Sequence, residues 1–299
     1  MSENKSETHT ARKDLILVPL DGSEEARAAL PYAQALAAPG TEIVLLTVLS
    51  ADAQADAARA ALEDAAQRPR VAGYTVQTEV AVGDPAQRIL DTAAHAGAGT
   101  IVMVSHGRGA VGRLIHGSVA DRVARESIVP VMVVRAAGVA PGPVGITRLV
   151  VPLDGSPFAE QSLPVATEIS RRLGTPLYLV RAVDPAELMP PAVGMGEAIP
   201  FEIYDDAEKE MEHAARDYLD RTAQTLRGQG LPVATAVLSG PPAAAIVEAT
   251  QLGDVVVICS HEQTGVMRWL LGSVAEQLTR EDQSPIILVP ASAAAQAAE

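Results

Sequence analysis

The residues best suited to chemistry lie around two glycine-bearing turns. In one, Gly107 is followed after nine residues by Gly117-Ser118, which reads as the start of a helix. Glycine lets an anion approach the backbone closely, and a helix N-terminus offers unpaired N–H groups and a partial positive charge. The Ser118 hydroxyl adds a donor, with Val119 beside it, and Arg108 and Arg113 lie in the same loop, where they can screen a phosphate. The other turn, Pro19-Leu20-Asp21-Gly22-Ser23, closes an apolar run. Its Asp21 carboxylate is suited to accept hydrogen bonds from a ribose or a base. Val48 closes a further apolar run. Ligands of open α/β sheets bind beyond the carboxyl ends of the strands, where strand order reverses. These three segments are expected to meet there.

Little in the sequence points to bond cleavage. His106 and His261 each follow a serine, but adjacent residues at a strand end point opposite ways, and no orienting acid recurs nearby. The pair is read as shaping the loop. His9, His95, His116 and His213 show no metal-ligand spacing. The single cysteine, Cys259, excludes an intramolecular disulfide and any multi-cysteine metal site. It ends the apolar run VVVIC and reads as a small buried residue rather than a reactive thiol. Met267 and Trp269 flank Arg268 and either pack against another unit or stack on a ligand. No catalytic residue and no metal ligand is therefore assigned.

The elements that must position these residues alternate regularly. The apolar run at 15–19 and the segments 42–49, 75–82, 100–105 and 130–134 read as strands, and segments 23–38, 52–67, 86–96 and 117–126 as helices. Ser23 is a natural N-cap, with Glu24 and Glu25 in a first turn whose dipole favours acid. Five strands separated by four helices imply an α/β fold with a doubly wound, mostly parallel five-stranded sheet flanked by helices. Near-continuous apolar strands such as TIVMV imply burial on both faces. Pro31 and Pro164 fall eight residues after Ser23 and Ser156, inside the predicted first helix, and require either a kink or a later helix start.

The whole pattern occurs twice. LILVPLDGS at 15–23 answers RLVVPLDGS at 148–156, and SHGRGAVGRLIHGSVADRVAR at 105–125 answers SHEQTGVMRWLLGSVAEQLTR at 260–280. Ordered matches at separated places indicate a duplicated unit. The offset grows from 133 to 155, so the second copy carries about 22 extra residues between Val183 and Glu208, read as a long loop. A long helix is expected at 204–227. The first unit is placed at 12–136, a Gly/Pro-rich linker at 137–145 and the second unit at 146–290.

This arrangement resembles the universal stress protein family over nearly the whole chain, twice, in its tandem form. Nucleotide-binding members carry a glycine, two residues, a glycine, nine residues, then glycine with serine or threonine. Here Val104 takes the first position, Gly107 the second and Gly117-Ser118 the third. The resemblance implies a Rossmann-like sheet of the adenine nucleotide alpha hydrolase type that binds ATP, with magnesium held mainly by the phosphates. Pro19, Asp21 and Val48 would surround adenine and ribose. Val104, His106, Gly107, Gly117, Ser118 and Val119 would line the phosphate side. The second copy has Cys259 and Glu262 at the first two positions and retains only Gly272-Ser273. Glu262 would repel a phosphate, so nucleotide is expected mainly in the first unit. The resemblance also implies that the last strands, 130–134 and 285–289, pair across units and that tandem chains form a homodimer.

Composition narrows the function classes. The chain has 299 residues, 48% of them hydrophobic and 20% charged, which is globular and sufficient for two cores. The net charge of −14 argues against a broad nucleic-acid or anionic-membrane surface. It divides unevenly, −3 over residues 1–145 and −11 over 146–299. The polar start, Met1 to Lys13, has no apolar core of a signal peptide, and no apolar run approaches a bilayer span, so a cytoplasmic protein is expected. The leading reading is a non-enzymatic stress-responsive regulator. One alternative is a nucleotide-free dimerisation module, favoured by Val104 and Glu262. The other is an ATP-using enzyme with this sheet. Against a PP-loop enzyme, Leu20-Asp21-Gly22 stands where a Ser-Gly-Gly-type loop is needed. Against a nucleotidyltransferase, paired histidines after the first strand are missing.

Overall fold

The computed structural model describes residues 14–51, 54–105, 118–135, 144–188, 201–260, 273–281, 284–291 and 293. In the first unit the strands are β1 (Leu15–Pro19), β2 (Glu42–Leu49), β3 (Thr75–Val82), β4 (Thr100–Ser105) and β5 (Val131–Arg135). The helices between them are α1 (Ala29–Leu36), α2 (Ala55–Val71), α3 (Pro85–Ala96) and α4 (Ser118–Glu126). The second unit repeats the order with β6 (Arg148–Pro152), α5 (Pro157–Glu160), α6 (Ser162–Leu173), β7 (Leu177–Val183), α7 (Phe201–Gly228), β8 (Val233–Ser239), α8 (Pro242–Ala249), β9 (Asp254–Cys259), α9 (Ser273–Glu281) and β10 (Ile286–Val289).

All ten strands form one sheet in the order β3-β2-β1-β4-β5-β10-β9-β6-β7-β8. Pairing is parallel within each unit, and the strand order reverses between β1 and β4 and again between β6 and β9. The units join where β5 and β10 run antiparallel, with Val133 opposite Ile286, Met132 opposite Ile287 and Val131 opposite Leu288. The strands of the second unit therefore point the other way, and the two crevices open at opposite ends of the sheet. Arg135 reinforces the seam by donating to the Thr279 carbonyl at 2.6 Å.

Side chains alternate along each strand and build two apolar layers that run through both units. One contains Ile16, Val18, Val102, Met132, Ile287, Val255 and Leu149, covered by α1, α2, α6 and α7. The other contains Leu17, Ile101, Val131, Leu288, Val256 and Val150, covered by α3, α4, α8 and α9. Burial on both faces explains why the strands read as continuous apolar runs.

The first helix of each unit starts later than the sequence predicts. Ser23 does cap, its Oγ accepting from the Ala26 N–H at 3.1 Å, but it caps a short 3₁₀ turn at Ala26–Ala28. The α-helix begins at Ala29, so Pro31 is its third residue. In the second unit Ser156 caps the one-turn α5, and α6 begins at Ser162 with Pro164 third. A first-turn N–H has no intrahelical acceptor, so proline removes nothing there. This resolves the choice between kink and late start in favour of the late start. Two other boundaries move. Helix α2 runs from Ala55 to Val71 instead of 52–67. Helix α7 begins at Phe201, so the end of the predicted 183–208 loop is helical, and a 3₁₀ turn at Pro185–Leu188 occupies its start.

Candidate functional site

The crevice of the first unit lies where β1 and β4 diverge. Leu20 continues β1 by one ladder bond, its N–H donating to the Leu46 carbonyl at 2.8 Å. The buried Thr47 hydroxyl donates to the Leu20 carbonyl at 2.9 Å and fixes the start of the turn. Asp21 then folds back on Ser23, its Oδ1 accepting from the Ser23 N–H at 3.0 Å and from the Ser23 hydroxyl at 2.6 Å. Asp21 is exposed at the surface of the turn. Gly22 has φ +85°, and a Cβ placed on it would meet nothing within 4 Å, so the turn is open on that side.

The other described candidates converge on the same end. Pro19, at the end of β1, and Val48, near the end of β2, are half-buried. Val48 and Val119 belong to the apolar layer beneath α3 and α4. Ser118 opens α4 and is exposed. Helix α4 is held in place by Arg122, which meets Asp84 Oδ1 at 2.7 Å and Glu126 at 3.0 Å. Asp84 also caps α3. An exposed acceptor, an apolar ledge and a helix N-terminus thus share one crevice, a combination suited to a molecule with a planar apolar part and an anionic part.

Val104 behaves differently from the other candidates. Its side chain is 4% exposed and sits in the layer with Val18, Leu20 and Val134. The side chain belongs to the core, and only the strand end it occupies borders the crevice. His106, Gly107 and Gly117 lie outside the described residues, as do Arg108, Arg113, His261, Glu262, Met267, Arg268, Trp269 and Gly272. Ser105 and Ser260, the serines preceding the two histidines, are buried, and the Ser260 hydroxyl donates to the Val289 carbonyl at 3.3 Å. Among the described residues, no three His, Cys, Asp or Glu side chains are grouped to hold a metal.

The second unit builds the same turn and surrounds it differently. Asp154 Oδ1 accepts from the Ser156 N–H at 2.8 Å, as Asp21 does from Ser23. The position of Thr47 is taken by Arg181, whose Nη1 would stand 3.0 Å from a Cβ on Gly155. The guanidinium lies 5.3 Å from the centroid of the Tyr218 ring. The Tyr218 hydroxyl donates to Glu160 at 2.8 Å, and burial, then that bond, raise its pKa. Sequence reasoning missed this group, although the repeat register that pairs Thr47 with Arg181 contains the signal. At the end of β9, Cys259 is buried, and burial followed by the Asp154 charge pushes its thiol up to about 12. That agrees with an inert thiol.

Comparison with known proteins adds independent support. The chain matches the universal stress protein family over residues 14–135 and again over 145–290. It is 29% identical over 189 residues to the universal stress protein Rv2005c of Mycobacterium tuberculosis, covering 63% of this chain and 60% of that protein. It is 28% identical over 144 residues to the universal stress protein MJ0531 of Methanocaldococcus jannaschii, covering 48% of this chain and 81% of that one. A crystal structure of a universal stress protein from Archaeoglobus fulgidus superposes with a TM-score of 0.66 at 20% identity, covering 94% of this chain and all of that one. At that identity the superposition speaks for the fold. With both matched segments and the doubly wound units they cover, the chain belongs to the universal stress protein family and carries two of its domains in tandem.

Proposed function

We propose that the first domain binds an adenine nucleotide, ATP in the leading reading, and that the chain acts as a stress-responsive regulator rather than as an enzyme. The observation that supports this most is the convergence of Asp21, Val48 and the Ser118-Val119 start of α4 on the crevice between β1 and β4. Pro19, Asp21 and Val48 hold base and ribose. The Gly107 to Gly117-Ser118 loop and Val119 receive the phosphates, which carry magnesium. The second domain is structural or binds something else, because Glu262 stands at the second glycine position. The working location is the cytoplasm, and no described helix is long and apolar enough to cross a membrane.

Calorimetric titration with ATP and magnesium tests the reading. One equivalent per chain is expected, abolished by Gly117→Arg and retained by Gly272→Arg. No heat and no thermal shift at millimolar ATP would overturn it in favour of a nucleotide-free module. Loss only with Gly272→Arg would move the site to the second domain. Self-association of tandem chains forms part of the same reading. Since β5 and β10 are each paired on both sides within one chain, a homodimer uses another surface. Sedimentation at micromolar concentration reads it, and a monomer there counts against it.

A further inference from the structure

The sheet ends in two edges, β3 in the first domain and β8 in the second. The strand registers match them residue for residue, Thr78 with Thr235, Glu79 with Ala236, Val80 with Val237 and Val82 with Ser239. In a parallel ladder the N–H and C=O of one residue point to the same side. The Leu177 N–H donates to the Pro232 carbonyl at 2.9 Å, and the Gly240 N–H to the Val183 carbonyl at 2.9 Å. The even-numbered residues therefore face β7, and Val233, Thr235, Val237 and Ser239 present their backbone groups outward. This outward edge is bounded at both ends. Arg227 donates from Nε and Nη2 to the Val233 carbonyl at 3.0 and 2.8 Å, and Pro241 has no N–H to offer. Between these stops, no group among the described residues bonds the N–H or carbonyl of Thr235, Val237 or Ser239. Arg70 bounds β3 in the same way at the Val76 carbonyl, so the two edges differ in their side chains.

β3 carries Gln77 and Glu79, and the neighbouring α3 adds Arg88 and Asp91. Charges of this kind keep sheet edges apart. β8 has Ala234 and Ala236 at the matching positions, and its seven residues include no charge. α8 has Ala245 where α3 has Arg88, and Glu248 is its one charged residue. This depletion runs against the net charge of −11 over residues 146–299. Val233, Val237 and Leu238 are half-buried, and an apolar surface depleted in charge is the composition of an interface core. Asp220, which accepts from the Thr235 hydroxyl at 3.4 Å, and Arg227 are of opposite sign, so the α7 groups on the edge balance. The edge is also self-complementary. Val233 and Pro241 lie equally far from Val237, so a two-fold axis at Val237 sets the capped carbonyl of one copy opposite the proline of the other. Thr235 then opposes Ser239 and Ala236 opposes Leu238, so every open N–H and carbonyl pairs and a small side chain meets a large one. The same operation at Val80 of β3 brings two Glu79 side chains within diagonal reach, where like charges repel. We propose that β8 is a homodimerisation edge, two chains pairing it antiparallel about Val237 and continuing the sheet into a second copy. The proposal rests on the self-association read above and names its surface. The symmetry of the two stops selects a second copy over an unrelated strand.

Sedimentation and amide hydrogen exchange on the full chain test it. Dimers are expected at micromolar concentration. Exchange should slow with concentration at the Thr235, Val237 and Ser239 amides and stay unchanged at Thr78, Val80 and Val82. Ala236→Glu installs the residue of the first domain and should weaken the dimer about a hundredfold. Ala236→Lys should do the same, and mixing the two variants should restore a one-to-one dimer, since opposite charges then meet across the axis. Both variants are expected to fold, because the first domain carries Glu79 at that register. A monomeric natural chain overturns the self-association and this assignment together. A dimer that Ala236→Glu leaves intact, or one without slowed exchange at the three β8 amides, overturns the assignment alone and leaves self-association to another surface. If the Ala236 variants fail to fold, the exchange pattern of the natural chain decides.

Discussion

The two domains share one scaffold and spend their charged groups differently. In the first, the turn after β1 is open and its exposed carboxylate stands over a half-buried apolar ledge. In the second, the same turn is backed by Arg181, which lies over the Tyr218 ring, and the Tyr218 hydroxyl donates to Glu160. At the strand starts the contrast recurs, with an Arg148–Asp254 pair in the second domain where the first has Leu15 and Gly99. The second domain places charged groups where the first has Thr47, Leu15 and Gly99, and its Arg172 pairs across the seam with Asp14 of the first. The duplicated units share one fold, and the second adds a buried ion pair that buttresses the starts of its strands.

The sharpest way to break this comparison is to remove the buttress. Asp254 is 2% exposed, accepts from Arg148 through both oxygens and also receives the Gln251 N–H at 2.9 Å. Asp254→Ala leaves a partly buried guanidinium and an amide without their acceptor. A loss of about 3 kcal/mol is expected in urea unfolding. Adding Arg148→Leu, the residue of the first domain, should recover part of that loss, because the uncompensated charge goes with it. If the double variant is as unstable as the single, the loss does not come from the uncompensated charge of Arg148.

A smaller effect distinguishes the two turns. Gly22 and Gly155 have φ of +85° and +89°, where an L side chain is strained by about 1–2 kcal/mol. Alanine at Gly22 should cost that and no more, since its Cβ meets nothing. Alanine at Gly155 must also push the Arg181 guanidinium, 3.0 Å from its Cβ, by a few tenths of an ångström against its contact with the Tyr218 ring, and up to about 0.5 kcal/mol more is expected. In an Arg181→Ala background the two substitutions should cost the same. Equal costs in the natural background would show that Arg181 does not buttress the turn.

The parts of this comparison that local sequence encodes were readable before any coordinates. Strands β1 and β4 coincide with their apolar runs because burial on both faces leaves little polar interruption, whereas the edge strand β3, TVQTEVAV, is largely exposed and is marked by its β-branched residues. The doubly wound order, with its reversal between β1 and β4, agrees with the expected sheet. The first helix was not readable, because Ser23 and Ser156 are good caps whichever helical turn follows, and Pro31 and Pro164 decide where the regular helix begins. The bond from Tyr218 to Glu160 spans 58 residues and leaves no periodic trace. The exchange of Leu15 and Gly99 for Arg148 and Asp254 is visible once the copies are aligned. Its consequence, a buried ion pair in one domain only, emerges when β1 is set beside β4 and β6 beside β9.

The smallest effect concerns Cys259, which takes the place that Val104 has in the first domain. Burial, and then the Asp154 charge, raise its thiol from 9.0 to about 12 in the folded chain. A raised pKa means that the folded state keeps its proton when the unfolded chain has lost it. The stabilisation is therefore fully present below pH 9 and is lost as pH rises towards 12. Cys259→Val, which installs the first domain's residue, should flatten the alkaline fall of unfolding free energy relative to the natural chain. Groups common to both proteins cancel in that difference. Iodoacetamide at about pH 8 should leave the native thiol unlabelled and modify it in urea, since the thiolate is the nucleophile. Fast labelling of the native chain together with parallel stability curves would place Cys259 in an open, functional crevice and erase the distinction drawn between the domains.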